Sequence, residues 1–374
     1  MLAPNVLDPE AQDAVRSCIQ KIATGPELSK DLSYDEARRV MRLILDDKID
    51  PIQAAVFFIA LRMKRETDEE NQGVLQALID VTGATVAPVD ELVDVADPYD
   101  GYTRTLPASP FLPCVLAACG VPAVSHGAES VGPKYGVSHS AVLAAAGLQV
   151  NLSAAQAAQR LGDPAQGWAY VDQRLFCPPL HALTRLRNLI VKRPCLTTVE
   201  VLIGPLRARR RTHLMTGYVH KAYPRVYALL ARHAGFDSAM IIRGVEGGVI
   251  PSLQQPAKVF SYRERGTEQQ ILVDPTTLGI VQPTRAVPLP QSVPAAGESG
   301  DGVALEFDRG AVATAAAAAG IEALHGHPGP TRDSLVYSAA ICLTHIGRYA
   351  SLPEAAATVR GALDSGAALA RFQA

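Results

Sequence analysis

The sequence predicts an α/β protein with a small N-terminal helical domain and a larger domain that carries a mainly parallel sheet flanked by helices. Three observations predict this class. Capped helical segments fill residues 1–90, strands alternate with helices from about residue 92, and helical spacing returns at the C-terminus. We therefore divide the chain into a helical domain, 1–90, which a later helical segment could join, and an α/β domain with C-terminal helices, 91–374.

Two capping boxes mark helix starts in the first domain, Ser33 with Glu36 and Thr67 with Glu70. In each box the hydroxyl and the carboxylate can accept hydrogen bonds from different backbone N–H groups of the first turn. Between the boxes, Pro51 occupies a first helical position, where its missing N–H is tolerated. These signals predict three short helices in succession.

From residue 91 onward the pattern alternates. Apolar and β-branched runs predict strands at 91–97, 121–127, 195–206, 213–220 and 238–244. Helical spacing predicts helices at 109–120, 222–236, 309–326 and 331–372. The Pro/Gly-rich segment 283–302 is predicted to be a surface loop.

Composition and charge exclude several function classes. The formal net charge of −2 gives no bulk attraction to nucleic acid or anionic membranes, although a local basic patch remains compatible with it. No uncharged apolar run reaches the ~18 residues of a membrane span, and the N-terminus lacks a signal-peptide core. The six cysteines form no C-x-x-C pair, which is typical of reduced, buried thiols. We expect a cytoplasmic protein without membrane contact.

One polar, glycine-rich stretch, VSHGAESVGPKYGVSH at residues 124–139, lies between apolar segments. Binding groups concentrate on such loops, so we interpret His126 as a site residue rather than a core residue. His220 lies where a strand gives way to a helix, which is the ligand-binding end of an open α/β sheet. Lys134 and Glu246 fit a binding role or a solvated loop equally well.

Three segments resemble the anthranilate phosphoribosyltransferase family: LRMKRETDEE at 61–70, AACGVPAVSHGAESV at 117–131 and LPEAAATVRGALDSGAAL at 352–369. The likeness runs through nearly the whole chain. It implies a helical domain hinged to an α/β domain, with small-molecule substrates in the cleft between them. It also implies pentosyl transfer, as in the related nucleoside phosphorylases, and a homodimer.

The segment after the first strand departs from the family pattern. The family's phosphate loop reads G-T-G-G-D, and its glycines let backbone N–H groups approach a diphosphate. The corresponding residues here are Asp97, Pro98, Tyr99, Asp100 and Gly101. Proline lacks an N–H donor, tyrosine adds bulk, and an aspartate repels an anion. Of the N-x-S-T run that follows in the family, this chain retains only Ser109.

The loop at 124–139 matches the family pattern K-H-G-N-R-S-V-S-S-K-S-G in part. The resemblance implies substrate binding by the retained residues His126, Gly127, Ser130 and Lys134. The family's lysine, asparagine and arginine are replaced by Ser125, Ala128 and Glu129. The loop has therefore lost positive charge, and we expect it to suit a less anionic ligand.

Further along the chain, His181 matches the family's F-A-P-x-x-H motif, which implies a place on the acceptor side or a helix cap. The family's arginine for the anthranilate carboxylate falls at Val191 on an ungapped count. Lys192 and Arg193, close to Val191, are candidate substitutes for this arginine, although adjacent residues on a strand face opposite ways.

The family's Asp-Glu pair for magnesium is reduced here to Glu246. A single carboxylate can hold Mg²⁺ when substrate phosphates supply further oxygens. The resemblance therefore makes Glu246 a candidate metal ligand and Mg²⁺ a candidate cofactor.

The densest basic run contains Arg207, Arg209, Arg210 and Arg211. Such a run is usually a solvated loop, and its functional alternative is contact with phosphate or nucleic acid. Some divergent relatives of the family without the phosphate loop are thought to bind nucleic acid, so both interpretations stay open. Few aromatic residues lie near the run, which disfavours stacking on a single strand.

Two hypotheses for the function follow. The first is a divergent pentosyl or phosphoribosyl transferase that does not use anthranilate and phosphoribosyl diphosphate in the usual way. Its catalysis would rest on positioning and on electrostatic stabilisation of an oxocarbenium-like centre. The second is a non-catalytic regulatory protein that binds a ligand, a nucleic acid or a partner on the same scaffold.

Overall fold

The structure is a computed structural model that describes residues 9–25, 27–293 and 308–374. The second part of the predicted surface loop, 294–302, lies outside the described residues. Its first part, 283–293, contains turns and neither a helix nor a strand, as a surface loop requires.

Four helices of the described chain form the N-terminal unit: α1 (Pro9–Ile22), α2 (Tyr34–Leu45), α3 (Pro51–Lys64) and α4 (Asp68–Thr82). Both capping boxes are present, and Pro51 opens α3. The prediction of three helices omitted α1, which contacts α3 and buries one apolar side. The amphipathic spacing of α1 and α2 contributes to a small bundle, because each of these helices has one apolar face to bury.

Within the described residues, nine strands form two sheets: β1 (Thr85–Val86), β2 (Glu91–Ala96), β3 (Ala123–Gly127), β4 (Trp168–Asp172), β5 (Leu206–Arg207), β6 (Arg211–Gly217), β7 (Ser238–Ile242), β8 (Ala257–Tyr262) and β9 (Gln269–Val273). The main sheet has the order β4-β3-β2-β6-β7-β8-β9, and β1 pairs with β5 separately. The first five strands of the main sheet are parallel, and β8 and β9 are antiparallel. A mainly parallel sheet is therefore confirmed.

The remaining helices flank this sheet: α5 (Leu112–Ala118), α6 (His139–Ala145), α7 (Ala154–Gly162), α8 (Gln173–Phe176), α9 (Pro178–Ala182), α10 (Thr184–Ile190), α11 (Leu196–Val199), α12 (Tyr223–His233), α13 (Arg309–Leu324), α14 (Pro330–His345), α15 (Leu352–Asp364) and α16 (Ala367–Gln373). The helices α10 and α11 contact the N-terminal bundle through α3 and α4. None of the described helices combines the length and the apolar character needed to cross a membrane.

Two hydrophobic cores cover the two faces of the sheet. Along β2, Leu92 and Ala96 belong to the core shared with the N-terminal bundle. Val93 and Val95 belong to the core shared with α5 and the C-terminal helices. Alternate strand residues point to opposite faces, so both faces of the sheet are buried and the ends of its strands are held rigidly.

The strand order reverses at β2. The chain runs from β2 to β3 and β4 on one side, and then crosses to place β6 and β7 on the other side of β2. At such a switch point the loops at the carboxyl ends of the strands open a crevice. The loops that begin at Asp97 and at Tyr218 therefore flank the candidate site.

The prediction of a strand over 195–206 is wrong. The segment forms α11 and a 3₁₀ turn at Glu200–Leu202, and only its last residue joins β5. β-Branched residues favour strands because they suit a half-buried pleated surface. Here the local helix instead brings Glu200 to a buried ion pair with Arg187 of α10, a contact that propensity cannot anticipate. Strands β4, β8 and β9 have no counterpart among the predicted strands.

Candidate functional site

A cleft of about 220 Å³ opens at the switch point, between the N-terminal bundle and the carboxyl ends of β2 and β6. Arg62 and Glu66 line it from the bundle side, and Asp100 lines it from the loop after β2. Three tyrosines form an aromatic part of its wall, Tyr218, Tyr223 and Tyr227. The cleft therefore combines charged groups with flat aromatic surface, a lining typical of small-molecule sites.

The loop after β2 is closed by an internal carboxylate. The Asp97 side chain is buried, and its Oδ2 accepts hydrogen bonds from the Tyr102 hydroxyl at 2.7 Å and the Ser109 hydroxyl at 2.5 Å. Nε2 of His139 lies 2.9 Å from the same oxygen, and the Val249 N–H donates to Oδ1 at 2.8 Å. Four donors at the switch point are thus engaged by a side chain of the protein.

The surroundings of Asp97 keep it ionised. Burial alone would raise its pKa, but the hydrogen bond and charge of His139 and the hydroxyls of Ser109 and Tyr102 outweigh burial, so the pKa of Asp97 lies below its ordinary value. The loop packs closely enough that a Cβ at Gly248 would lie 1.7 Å from the Tyr102 hydroxyl. Asp97 therefore places a fixed negative charge where the loop would meet an anion.

His126 is a buried residue of the sheet and not part of the cleft lining. Its Nε2 lies 2.8 Å from Oδ1 of Asp94, which is fully buried on β2. Its Nδ1 shares a hydrogen bond with the Tyr99 hydroxyl, and its ring packs edge-on against Phe176. Asp94, His126 and Tyr99 thus contact one another inside the core, and none of the three lines the cleft.

The other predicted residues of the 124–139 loop are spread around the sheet edge. Gly127 ends β3, where a Cβ would lie 3.5 Å from the Tyr170 hydroxyl. The Ser130 hydroxyl accepts a hydrogen bond from Arg309 of α13 at 2.7 Å. These two residues contact other parts of the fold, and neither lines the cleft.

Lys134 and Glu246 form a pair that joins two loops. Lys134 Nζ lies 2.8 Å from Glu246 Oε2 and donates to the Gly101 carbonyl. Glu246 also accepts from the Thr103 N–H at 3.0 Å and the Thr105 hydroxyl at 3.0 Å. Burial alone would raise the pKa of Glu246, but Lys134 and the backbone N–H groups hold that pKa below its ordinary value.

These contacts do not fit a resident magnesium site at Glu246. A carboxylate offers about four lone-pair positions, and donors from Thr103, Arg104, Thr105 and Lys134 occupy them. Among the described residues no group of three or more His, Cys, Asp or Glu side chains is arranged to hold a metal ion. The protein's own donors thus hold the Glu246 carboxylate.

Of the two other histidines predicted as site residues, His220 lines the cleft and His181 does not. His220 is exposed on the loop after β6, lines the cleft and packs 6.0 Å from the Tyr223 ring, between ring centres. His181 lies on the short helix α9, is partly buried and is absent from the cleft lining. The structure thus brings His220 and Glu246 together in the wall of the cleft, and keeps His181 away from it.

The segment that was expected to supply a carboxylate-binding arginine is a helix and its exit turn. Val191 caps α10 in a left-handed conformation, with φ at 60°, and is exposed. Arg193 reaches the cleft, where its Nη2 lies 2.7 Å from Asp100 Oδ2. Arg187 and Glu200 form a buried bidentate pair, with N–O distances of 2.6 and 2.7 Å. Each of these two guanidinium groups therefore already holds a carboxylate.

The basic run is divided among several structural roles. The Arg207 guanidinium stacks 4.0 Å from the centre of the Phe236 ring and donates to a backbone carbonyl. Arg210 faces Asp90 at 3.8 Å, and Arg211 lies 3.2 Å from Glu91. Arg209 is exposed on the turn between β5 and β6. The run does not form one open basic surface.

Sequence reasoning missed His139, Asp94 and the Arg193–Asp100 pair. A carboxylate inside the apolar strand ELVDVA was a usable signal, because a buried charge requires a partner. His139 ends the glycine-rich stretch that was singled out, but its partner Asp97 lies 42 residues away. Contacts at that separation depend on the tertiary structure.

Known proteins with similar sequences and structures agree with this architecture. Residues 16–82 match the family model of a glycosyl transferase helical bundle domain, and residues 101–287 match the α/β domain model of the same family. Anthranilate phosphoribosyltransferase of Syntrophomonas wolfei is 28% identical over 343 residues, covering 91% of this chain and 92% of that protein. An uncharacterised Aquifex aeolicus protein is 29% identical, covering 72% of this chain and 80% of its own length.

Two solved structures show the same fold. Anthranilate phosphoribosyltransferase of Thermus thermophilus superposes with a TM-score of 0.70 at 20% identity, covering 96% of this chain and 97% of that one. The Saccharomyces cerevisiae enzyme in complex with PRPP and Mg superposes with a TM-score of 0.74 at 14% identity, covering 97% and 96%. Together with the two domain matches, these likenesses show that the chain belongs to this glycosyl transferase family, as an anthranilate phosphoribosyltransferase-like member.

Proposed function

We propose that the chain is a divergent glycosyl transferase of the pentosyl- or phosphoribosyl-transferring kind. Its cleft binds a small molecule, and it does not use anthranilate and phosphoribosyl diphosphate in the usual way. The observation that carries the proposal is the Asp97 carboxylate, which engages the donors of Tyr102, Ser109 and His139 inside the loop after β2. A protein carboxylate there takes the interactions that an anionic substrate would need.

The charge of Asp97 makes diphosphate binding at this loop unfavourable. Two like unit charges about 4 Å apart repel by about 4 kcal/mol at an effective dielectric constant near 20. Pro98 offers no N–H to an anion, and the bulk of Tyr99 is fixed by its hydrogen bond to His126. These three substitutions act in the same direction, so the proposal does not depend on one residue.

The cleft supports transferase chemistry through positioning and charge. Asp100 and Glu66 face it, and carboxylates stabilise positive charge that develops at a sugar carbon. We assign His220 to the acceptor side, where the neighbouring tyrosines offer flat surfaces for a ring. Lys134 and Glu246 hold the loops in register, and His126, Ser109, Gly127 and Ser130 fix the sheet edge. A place for His181 on the acceptor side stays a prediction, since α9 holds this residue outside the cleft lining.

Turnover with the family's substrates tests the proposal directly. Purified protein is mixed with anthranilate, phosphoribosyl diphosphate and Mg²⁺, and the loss of anthranilate fluorescence is followed. The S. wolfei relative, prepared in parallel, serves as the control for the substrates and the assay. We expect no loss of fluorescence above the rate without protein. Rapid, saturable turnover contradicts the proposal.

A second candidate function is non-catalytic binding in a regulatory role on the same scaffold. It is favoured by the Arg187–Glu200 and Arg193–Asp100 pairs, because both guanidinium groups are held by protein carboxylates. A thermal-shift screen against sugar phosphates, nucleotides and aromatic acids separates the two, since ligands of the native state raise the melting temperature. A stabilising ligand that is never consumed, alone or with a sugar-phosphate co-substrate, favours the binding protein.

Nucleic-acid binding is the macromolecular version of that second candidate. Its proposed contacts are Arg207, Arg209, Arg210 and Arg211, of which the last three are exposed. A mobility shift of single- and double-stranded oligonucleotides that weakens steeply with salt would support it. No shift at low salt removes it.

We also propose that the chain is a homodimer. The outer side of α3 exposes the apolar residues Ile52, Val56 and Met63, at 74%, 40% and 75% of their surface. They follow one helical stripe beside an apolar groove formed with α1. A contiguous apolar surface of this kind marks an interaction site, and a second copy of the chain presents the same stripe.

A further inference from the structure

A second groove opens beside the cleft, at the carboxyl end of β7. It has a volume of about 630 Å³ and is lined by three arginines, Arg104, Arg243 and Arg285. We call it the arginine groove. Tyr218, Val219 and Glu246 line both this groove and the cleft, so the two spaces share one wall.

Two of the three arginines, Arg243 and Arg285, have no counterion among the described residues that line the groove. Glu246 is the one acidic residue among the described residues that line it, and its carboxylate is engaged by Lys134 and by donors from 103–105. Arg243 and Arg285 are exposed, and their side chains form no ion pair or hydrogen bond with the described residues. Elsewhere the chain pairs its arginines readily, as with Arg225 and Asp68 at 2.6 Å. Two neighbouring cations without a counterion among the described residues favour an anionic ligand.

Backbone hydrogen bonds fix the three segments that carry these arginines. The Arg243 N–H donates to the Lys258 carbonyl at 3.0 Å, and the Leu253 N–H donates to the Arg285 carbonyl at 2.9 Å. Isolated bridges join Gly244 to Pro251 and Thr105 to Pro288. The guanidinium groups therefore project from a fixed framework, which lowers the entropy lost when they bind a ligand.

We infer that the arginine groove binds the phosphate group of a phosphorylated small molecule whose uncharged part lies in the cleft. Guanidinium groups match phosphate oxygens through paired N–H donors, and the hydroxyls of Ser252 and Thr284 line the same space. The inference rests on the proposed function and extends it, since it gives the anionic part of the substrate a location away from Asp97.

Binding of inorganic pyrophosphate and of ribose 5-phosphate tests this inference by calorimetry and thermal shift. The test variant is R243Q/R285Q, and the matched control is R16Q, which removes an exposed arginine outside both the groove and the basic run. We expect both probes to stabilise the wild type and R16Q. We expect R243Q/R285Q to bind them at least ~10-fold more weakly, with an unchanged melting temperature in the absence of ligand. R243K/R285K keeps the charge and loses the paired donors, and should fall between them.

Three outcomes overturn the inference: neither probe binds the wild type, R243Q/R285Q binds as tightly as R16Q, or the groove serves only oligonucleotides. The last would appear as salt-dependent oligonucleotide binding that R243Q/R285Q loses while neither small phosphate binds. Binding is measured without turnover. Consumption of anthranilate by the wild type would therefore contradict the proposed function, while the binding data would still decide whether the arginine groove holds phosphate.

Discussion

The loop after β2 and the segment after β7 lie at the same edge of the main sheet, but they differ in whether their charged side chains are paired within the protein. After β2, the Asp97 carboxylate is buried and surrounded by donors of the protein. After β7, Arg243 and its neighbour Arg285 face an open groove whose one carboxylate among the described residues, Glu246, is engaged by Lys134 and by donors from 103–105. The difference teaches that position at a sheet edge does not by itself define a binding site. A ligand is expected where polar groups remain unsatisfied within the protein.

The largest expected effect comes from breaking the closed loop. Asp97→Ala leaves His139, Tyr102 and Ser109 without their acceptor in a buried space. Loss of one partner of a buried charged network costs about 3–5 kcal/mol. Urea unfolding followed by circular dichroism measures the change, with the exposed Asp13→Ala as the matched control. A loss no larger than that of the control would show that the network does not stabilise the loop.

The next largest effect concerns the pair that links the two loops. Lys134→Met removes the cation that faces Glu246 and a donor to the Gly101 carbonyl. We expect a loss of about 1–3 kcal/mol in the free energy of unfolding, since a largely buried carboxylate loses its charged partner. Lys30→Met, at an exposed position, is the control in the same unfolding experiment. Equal losses of unfolding free energy in the two variants would show that the Lys134–Glu246 contact does not stabilise the packing of the two loops.

The pH dependence of stability tests whether Asp97 is ionised in the folded protein. Its folded-state pKa is lowered, so its ionised form contributes stability above the unfolded pKa of about 3.9, and that contribution disappears as the pH falls through the folded value. The difference in melting temperature between wild type and Asp97→Ala should therefore be full near neutral pH and narrow below about pH 4. A difference that stays constant down to about pH 2.5 would mean that Asp97 is not charged in the native state.

A small effect on the free energy of unfolding is expected from a substitution in the arginine groove. Arg243→Gln removes a charge of the same size as that of Asp97, but from an exposed side chain with no protein partner among the described residues. The free energy of unfolding should change by no more than about 0.5 kcal/mol. Differential scanning calorimetry without ligand measures it. A loss above about 1 kcal/mol would place Arg243 in the fold's own network and remove the contrast with Asp97.

The smallest expected effect on unfolding comes from the exposed stripe on α3. Met63→Glu changes a side chain that is 75% exposed, so stability at fixed oligomeric state should stay within about 0.5 kcal/mol. The same change should shift the protein from dimer to monomer in light scattering, because a charge would be buried at the proposed interface. The exposed Arg16→Glu change on α1 is the control. An unchanged mass contradicts the homodimer.

Much of the fold was accessible from local patterns. The capping boxes at Ser33 and Thr67 predicted helix starts because the bonds they form span three residues. The switch from helical spacing to alternating strands predicted the parallel sheet. The strand prediction for 195–206 is wrong because the conformation of this segment follows from the Glu200–Arg187 contact, which local propensity does not contain.

The candidate site was less predictable than the fold. The sequence correctly drew attention to the loop beginning at Asp97 and to the stretch ending at His139, but not to the bond between them. His126 has the sequence setting of a loop histidine, and the structure buries it against Asp94. Burial depends on which strands become neighbours, so a single sequence could name the right segments and still misplace their side chains.

By itself the sequence determined the helical unit, the parallel sheet, the family and the replacement of the phosphate-loop pattern. Each of these depends on patterns of residues that lie close together in the chain. Only the tertiary structure decided where the charges go. It brought His139 to Asp97 and Lys134 to Glu246, and left Arg243 and Arg285 beside an open groove. Electrostatic pairing acts over a few ångströms of space regardless of chain separation, so it is settled when distant segments pack together.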